Sequence, residues 1–304
     1  MKKEFPGGVW PVMLTPFTSE GDVDYDALKK LVDWYIENGS SGLFAVCQSS
    51  EMFFLSLEER LSIARAVVAY ADGRVPVIAS GHISEEEEAQ AEEVNRMAET
   101  GVDAVILITN RFAAEDEDDV VWMERCEHFL TKIQSDIPLG FYECPYPYKR
   151  LISLENLKKC AESGRFYFLK DTCCDEKLIE KRIEVTKGTN LKLYNANSAT
   201  ILDSLRAGAA GFSGVMANFH PELYAYLCSH TEEKDIRYLQ DFLATASLIE
   251  AQYYPVNAKY HLQKLEGIPM STYSRKQDDK GLNDTFRHQV EMLDELTQEF
   301  VKHY

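Results

Sequence analysis

The chain is poor in positive charge: 32 basic residues stand against 50 acidic ones among 304, a formal net charge of -18. Nucleic acid and anionic membrane surfaces are therefore poor partners, because both require clustered cations. No apolar run reaches the roughly 20 residues that a membrane-spanning helix needs, and the opening Met1-Lys2-Lys3-Glu4-Phe5-Pro6-Gly7-Gly8 lacks the apolar stretch of a secretory leader. No Gly-x-Gly-x-x-Gly follows the first apolar run, so the dinucleotide fingerprint is missing. The acidic stretch Glu115–Asp119 has no EF-hand spacing and reads as a solvated loop. Seven cysteines, an odd number that includes the adjacent Cys173-Cys174, show no zinc-site spacing. Reduced thiols in the cytoplasm are the expectation, with no metal and no organic cofactor.

What is present suits a large globular core: 45% of residues are hydrophobic and 11% aromatic. Short apolar runs alternate with amphipathic segments from Gly8 onward. Strands are expected at Val9–Leu14, Gly42–Val46, Val75–Ala79, Ala104–Ile108, Pro138–Tyr142, Phe166–Lys170, Leu191–Tyr194 and Ala210–Gly214. Helices are expected between them, for example Tyr25–Asn38 before the stop at Gly39, and one opened by the capping box Ser56-Leu57-Glu58-Glu59. A helix starting at Ser84 carries the run Glu85–Glu88 near its N-terminus; another, after the acidic loop, ends near Gln134. Strand–helix units recurring every roughly 20–35 residues are the rhythm of an α/β (β/α)₈ TIM barrel. After Pro221 the strands stop, while Leu239, Phe242, Leu243, Ala246 and Ile249 keep a helical period. The expected division is a barrel over 1–222 and a helical extension over 223–304.

One stretch organises the rest. In Phe166-Tyr167-Phe168-Leu169-Lys170-Asp171-Thr172, period-two alternation puts Lys170 on the same strand face as Phe166 and Phe168. An ammonium at the end of a buried face is costly, and the cost eases if the amine is neutral. An ordinary lysine is neutral in only about one molecule in a few thousand at pH 7. Burial that lowers its pKa makes an amine nucleophile able to form a Schiff base with a carbonyl; a lysine that snorkels outward would do no such chemistry.

In barrel enzymes the chemistry lies at the C-terminal ends of the strands. Here those ends carry Thr15, Cys47-Gln48-Ser49-Ser50-Glu51, Ser80-Gly81-His82, Thr109-Asn110-Arg111, Tyr142, Lys170, Asn195 and Ser213-Gly214. Tyr142 and Lys170 end neighbouring strands, about 4.8 Å apart in a sheet, so a phenol can pass protons to a group bound on the lysine. Ser49 and Ser50 offer hydroxyls suited to a carboxylate. Cys47 has no basic neighbour in the sequence and reads as packing, and His82 reads as a loop residue.

The order and spacing of these motifs resemble the dihydrodipicolinate synthase / N-acetylneuraminate lyase family of Schiff-base-forming barrels, over essentially the whole chain. Gly8-Val9-Trp10-Pro11-Val12-Met13-Leu14-Thr15-Pro16-Phe17 is similar to the family's opening strand. Cys47-Gln48-Ser49-Ser50-Glu51 stands where the family has Gly-Thr-Thr-Gly-Glu, and Tyr142-Glu143-Cys144-Pro145 resembles its Tyr-Asn-x-Pro. Leu169-Lys170-Asp171-Thr172 resembles the Schiff-base strand, and Gly211-Phe212-Ser213-Gly214 through Asn218 and Pro221 the last strand and turn. The resemblance implies an imine between Lys170 and a 2-oxo acid such as pyruvate, with Tyr142 as proton relay. It implies a carboxylate grip by Ser49 and Ser50 and a homotetramer; Gln48, Arg111 and Gly214, also at strand ends, are further candidates for substrate binding.

The chain also departs from the family. Cys47 and Gln48 replace a glycine and a hydroxyl, and Ser50 stands at a second glycine, a position where positive φ would be strained. Pro147 occupies the place of the arginine that binds the aldehyde substrate's carboxylate in dihydrodipicolinate synthase, although Lys149 and Arg150 are near. The subunit-bridging tyrosine of that enzyme falls around Asn110-Arg111-Phe112, where there is none; an arginine there suits a carboxylate or a sugar-acid chain. The leading expectation is a class I lyase joining pyruvate to an aldehyde, or cleaving the product. Its variants are dehydration of a 2-oxo-3-deoxy sugar acid and dihydrodipicolinate synthesis. A reading of another class is a regulator that binds a 2-oxo acid without turning it over.

Overall fold

The computed structural model describes residues 5–304. Its strands are β1 (Gly8–Val9), β2 (Leu43–Val46), β3 (Val77–Ser80), β4 (Ala104–Ile108), β5 (Leu139–Tyr142), β6 (Phe166–Asp171), β7 (Lys192–Asn195) and β8 (Gly211–Phe212). The helices between and after them are α1 (Tyr25–Glu37), α2 (Leu57–Ala71), α3 (Glu87–Ala98), α4 (Asp119–Leu130), α5 (Leu154–Glu162), α6 (Glu176–Thr186), α7 (Ile201–Ala207) and α8 (Pro221–Ser229). Three more follow: α9 (Ile236–Ala246), α10 (Val256–Lys264) and α11 (Asp284–His303).

Every strand pairing is parallel, in the order β1-β8-β7-β6-β5-β4-β3-β2. Parallel bridges Val9↔Ser40 and Val12↔Phe44 join the two ends and close the barrel. β1 is shorter than expected because Pro11 has no N–H for a ladder, and within the expected span beyond it Val12 alone makes a bridge. The third strand begins at Val77 rather than Val75, after Pro76.

Helix starts follow local chemistry. Asp24, Ser56, Asp118, Ser153 and Asp175 each accept a first-turn N–H, and Ser56 with Glu59 forms the expected capping box. The start expected at Ser84 moves to Glu87, because buried Glu93 takes the backbone N–H groups of Ile83 and Ser84. The helix expected to reach Gln134 stops at Leu130. The acidic loop is built into the fold: Glu117 pairs with Arg125, Asp118 caps α4, and Asp119 meets Arg150.

Aromatic rings fill the barrel. Trp10 and Phe168 are 5.2 Å apart, Phe168 stacks on Tyr194 at 4.2 Å, and Phe44 lies 5.9 Å from Tyr142. The mouth is therefore floored by apolar side chains. Helix α8 packs on β1 and β8 as the eighth barrel helix. Beyond α10, the chain returns across the mouth and is anchored there by Glu51. This buried carboxylate pairs with Lys259 at 2.6 Å and accepts from Ser274 Oγ and from the N–H groups of Arg275 and Lys276.

Candidate active site

The mouth holds a cavity of about 390 Å³ whose lining includes Gln48, Ser49, Tyr142, Lys170, Gly214 and Glu250. Strand register builds its centre: Tyr142 of β5 and Lys170 of β6 are direct partners. Lys170 Nζ sits 4.3 Å from the centroid of the Tyr142 ring, and the residue is 5% exposed. Burial holds its amine below the usual lysine range, which favours the nucleophilic neutral form. Burial also pushes the Tyr142 phenol well above its ordinary value, so it stays protonated and acts as a donor. That donor meets Gln48 Oε1 at 3.2 Å.

The strand ends are held from behind. Glu143 and Asp171, which follow Tyr142 and Lys170, face away from the barrel axis and both receive Arg182 of α6. All three side chains are fully buried. Glu143 also accepts the N–H groups of Ile152 and Thr172, and its carbonyl accepts Thr172 Oγ1. One guanidinium thus fixes both strand ends carrying the reactive pair.

The loop after β2 divides its roles. Ser49 lines the cavity beside Tyr254. Ser50 is not in the lining: its hydroxyl donates to the carbonyls of Met13 and Ala45 and accepts the Cys47 N–H. Its backbone is not left-handed; Glu51 takes that conformation, at φ 60, stabilised by its buried ion pair. A serine therefore fits where the family glycine stands. Gly214 contributes backbone, since a Cβ would lie 2.3 Å from the Phe212 ring and 2.6 Å from the Ala196 carbonyl oxygen. Burial raises the Cys47 thiol, consistent with packing. His82 is buried, accepts the Ile108 N–H and is held near pH 4.

Arg111 is not brought to this cavity. It lines a separate cleft with Glu85, Glu87 and Arg125, because a short 3₁₀ turn over Thr109–Arg111 carries the chain outward and commits Asn110 to the carbonyls of Cys144, Tyr146 and Tyr148. Cations come from elsewhere: Lys149, whose Nζ donates to the Thr172 carbonyl at 2.8 Å, and Lys276 from the returning C-terminal segment. Glu250, its carboxyl pushed up by burial to about 7 despite the opposing charge of Lys170, completes the wall. Glu250, Tyr254 and Lys276, inside the expected helical extension, had no signal in the sequence. Lys149 was visible only as a neighbour of Pro147.

Comparison with known proteins places this geometry. The model of the dihydrodipicolinate synthetase family matches residues 5–277. The 4-hydroxy-tetrahydrodipicolinate synthase of Jannaschia sp. (strain CCS1) is 30% identical over 72% of this chain and 72% of its own length. That of Pseudoalteromonas atlantica is 28% identical over 88% of this chain and 90% of its own. Among solved structures, dihydrodipicolinate synthase DapA-2 from Bacillus anthracis superposes with TM-score 0.85 at 22% identity, covering 96% of this chain and 99% of its own. YagE, an E. coli K12 prophage protein of the dihydrodipicolinic acid synthase family solved with pyruvate, superposes with TM-score 0.84 at 21% identity, over 96% and 98%.

Proposed function

The chain belongs to the dihydrodipicolinate synthetase family, and on that premise we propose that Lys170 forms an imine with pyruvate or a pyruvate-derived 2-oxo acid. As a family member the protein is a lyase of the class I aldolase kind. The observation that carries the assignment of Lys170 is its buried amine beside the Tyr142 ring, at the apolar floor of the mouth cavity.

The neutral amine attacks the C2 carbonyl, and the resulting carbinolamine hydroxyl leaves as water after taking a proton, which the Tyr142 phenol is placed to donate. The protonated imine then draws electrons from the adjacent carbon. In condensation, loss of a proton there gives an enamine whose carbon attacks the aldehyde, the aldehyde oxygen takes a proton, and hydrolysis frees the product. In cleavage, the distal hydroxyl loses its proton as the next C–C bond breaks, an aldehyde leaves, and protonation and hydrolysis of the enamine release pyruvate. Gln48 orients the phenol during these transfers, and Ser49 binds the pyruvate carboxylate. Lys149, Lys276 and Glu250 face the remainder of the substrate, which suits an aldehyde or sugar acid with a distal carboxylate or several hydroxyls. A homotetramer in the cytoplasm belongs to the same proposal, and mass measurement in solution tests the assembly.

Pyruvate with borohydride should leave a stable adduct on the Lys170 peptide. Modification at another lysine, or none with any 2-oxo acid, overturns the assignment. Pyruvate is then offered a panel of aldehydes that includes aspartate semialdehyde, and 2-oxo sugar acids are assayed for cleavage and for dehydration.

A further inference from the structure

Far along the chain, three groups outside the lyase chemistry converge. His261 on α10, Glu266 in the turn after it and Asp294 on α11 present ligand atoms that all lie within 4.8 Å of one another. His261 Nε2 is 3.6 Å from Glu266 Oε1, and His261 Nδ1 is 3.9 Å from Asp294 Oδ1. The histidine is 2% exposed, yet neither ring nitrogen has a hydrogen-bond partner, and Asp294 Oδ1 is likewise buried and unpaired. Buried polar atoms are ordinarily satisfied, so three orphans in one place point to a missing partner.

The donor set suits a cation, since one imidazole and two carboxyls face one another. Among the described residues neither carboxylate forms an ion pair with a lysine or arginine. A neutral imidazole keeps a lone pair for a metal. The cluster also has outer support of the kind that orients metal ligands. Trp34 Nε1 donates to Glu266 Oε2 at 2.8 Å, leaving Oε1 turned to His261.

We propose that His261, Glu266 and Asp294 bind one divalent transition-metal ion of the zinc class, which clamps α11 to α10. One imidazole nitrogen and two carboxylate oxygens, with water completing the shell, suit zinc; calcium and magnesium prefer oxygen alone. Coordination bonds of about 2.0–2.2 Å draw the three atoms closer than they now stand. The side chains of Glu266 and Asp294 are 24% and 17% exposed, so both entry and that adjustment are open.

The test uses the full chain, stripped with a chelator and titrated calorimetrically with Zn²⁺, with Mg²⁺ as the contrast. One Zn²⁺ should bind per chain and raise the melting temperature. Asp294→Asn and Glu266→Gln keep side-chain size, should melt like the stripped wild type, and should weaken binding at least about tenfold, the scale on which even outer-shell partners act. His288→Ala, at an exposed histidine near Glu291, should bind as wild type and so exclude surface capture. Borohydride trapping at Lys170 should be the same in all variants, which separates this site from the lyase assignment. Absence of stoichiometric Zn²⁺ binding, or undiminished binding by both carboxamide variants, overturns the proposal.

Discussion

The Tyr142 hydroxyl donates to Gln48 Oε1 at 3.2 Å, joining the end of β5 to the loop after β2 across the mouth of the barrel. The contact fixes the phenol at the rim of the cavity that Lys170 also lines.

Tyr142→Phe keeps the ring and removes the proton. Turnover should fall by roughly 10²- to 10⁴-fold while pyruvate trapping on Lys170 persists. Gln48→Leu, which leaves the phenol without its acceptor, should lower kcat in the same direction by a smaller factor. Steady-state kinetics alongside trapping decides it, and wild-type turnover in Tyr142→Phe would make the phenol a packing residue.

Lys170 titrates below an ordinary lysine in the folded chain because burial disfavours its charge. The rate of imine trapping should therefore rise with pH and level off below the free-lysine pKa of about 10.4. The stability consequence has a definite sign. The unfolded chain binds a proton at Lys170 that the folded chain releases between the two pKa values, so the lysine destabilises the fold there, and the cost shrinks as pH approaches the unfolded value. Lys170→Met should accordingly stabilise the protein at neutral pH and less so at high pH, read from urea melts across pH.

Arg182→Met leaves Glu143 and Asp171 buried without their cation. Loss of about 3–5 kcal/mol is expected. Glu143 already titrates above its usual range, chiefly from burial. Protonation removes the uncompensated charge, so the variant should regain stability as pH falls, the opposite of an ordinary acid melt. Denaturant midpoints at two pH values check both statements.

Lys276 reaches the cavity only because Glu51 anchors the returning segment. Lys276→Ala should weaken kcat/KM for an acidic second substrate by about 1.5–3 kcal/mol, the scale of a charge-assisted hydrogen bond, and leave pyruvate trapping unchanged. Arg111→Ala, in the separate cleft, should alter neither. A larger loss in Arg111→Ala than in Lys276→Ala would reverse the assignment of the distal site.

Much of this was determined by sequence alone. Period-two apolar runs ending in polar residues fixed the strands and their order, and the strand-end rule then selected Lys170 and Tyr142, because both signals are local and repeat along the chain. Capping residues such as Ser56 and Ser153 likewise act within one helical turn. What the tertiary structure decided was the direction of side chains on irregular segments and the partners they meet from distant parts of the chain. Ser50 turns into the loop because the Met13 and Ala45 carbonyls lie there to accept it, and Arg111 leaves the mouth because a 3₁₀ turn carries it outward. Lys276 enters the cavity because a glutamate more than 200 residues earlier, Glu51, anchors the chain's return across the barrel, and Glu250 and Tyr254 join it from the segment before α10. Such pairings depend on which buried charge finds which partner in the folded chain, and no spacing in the sequence records that.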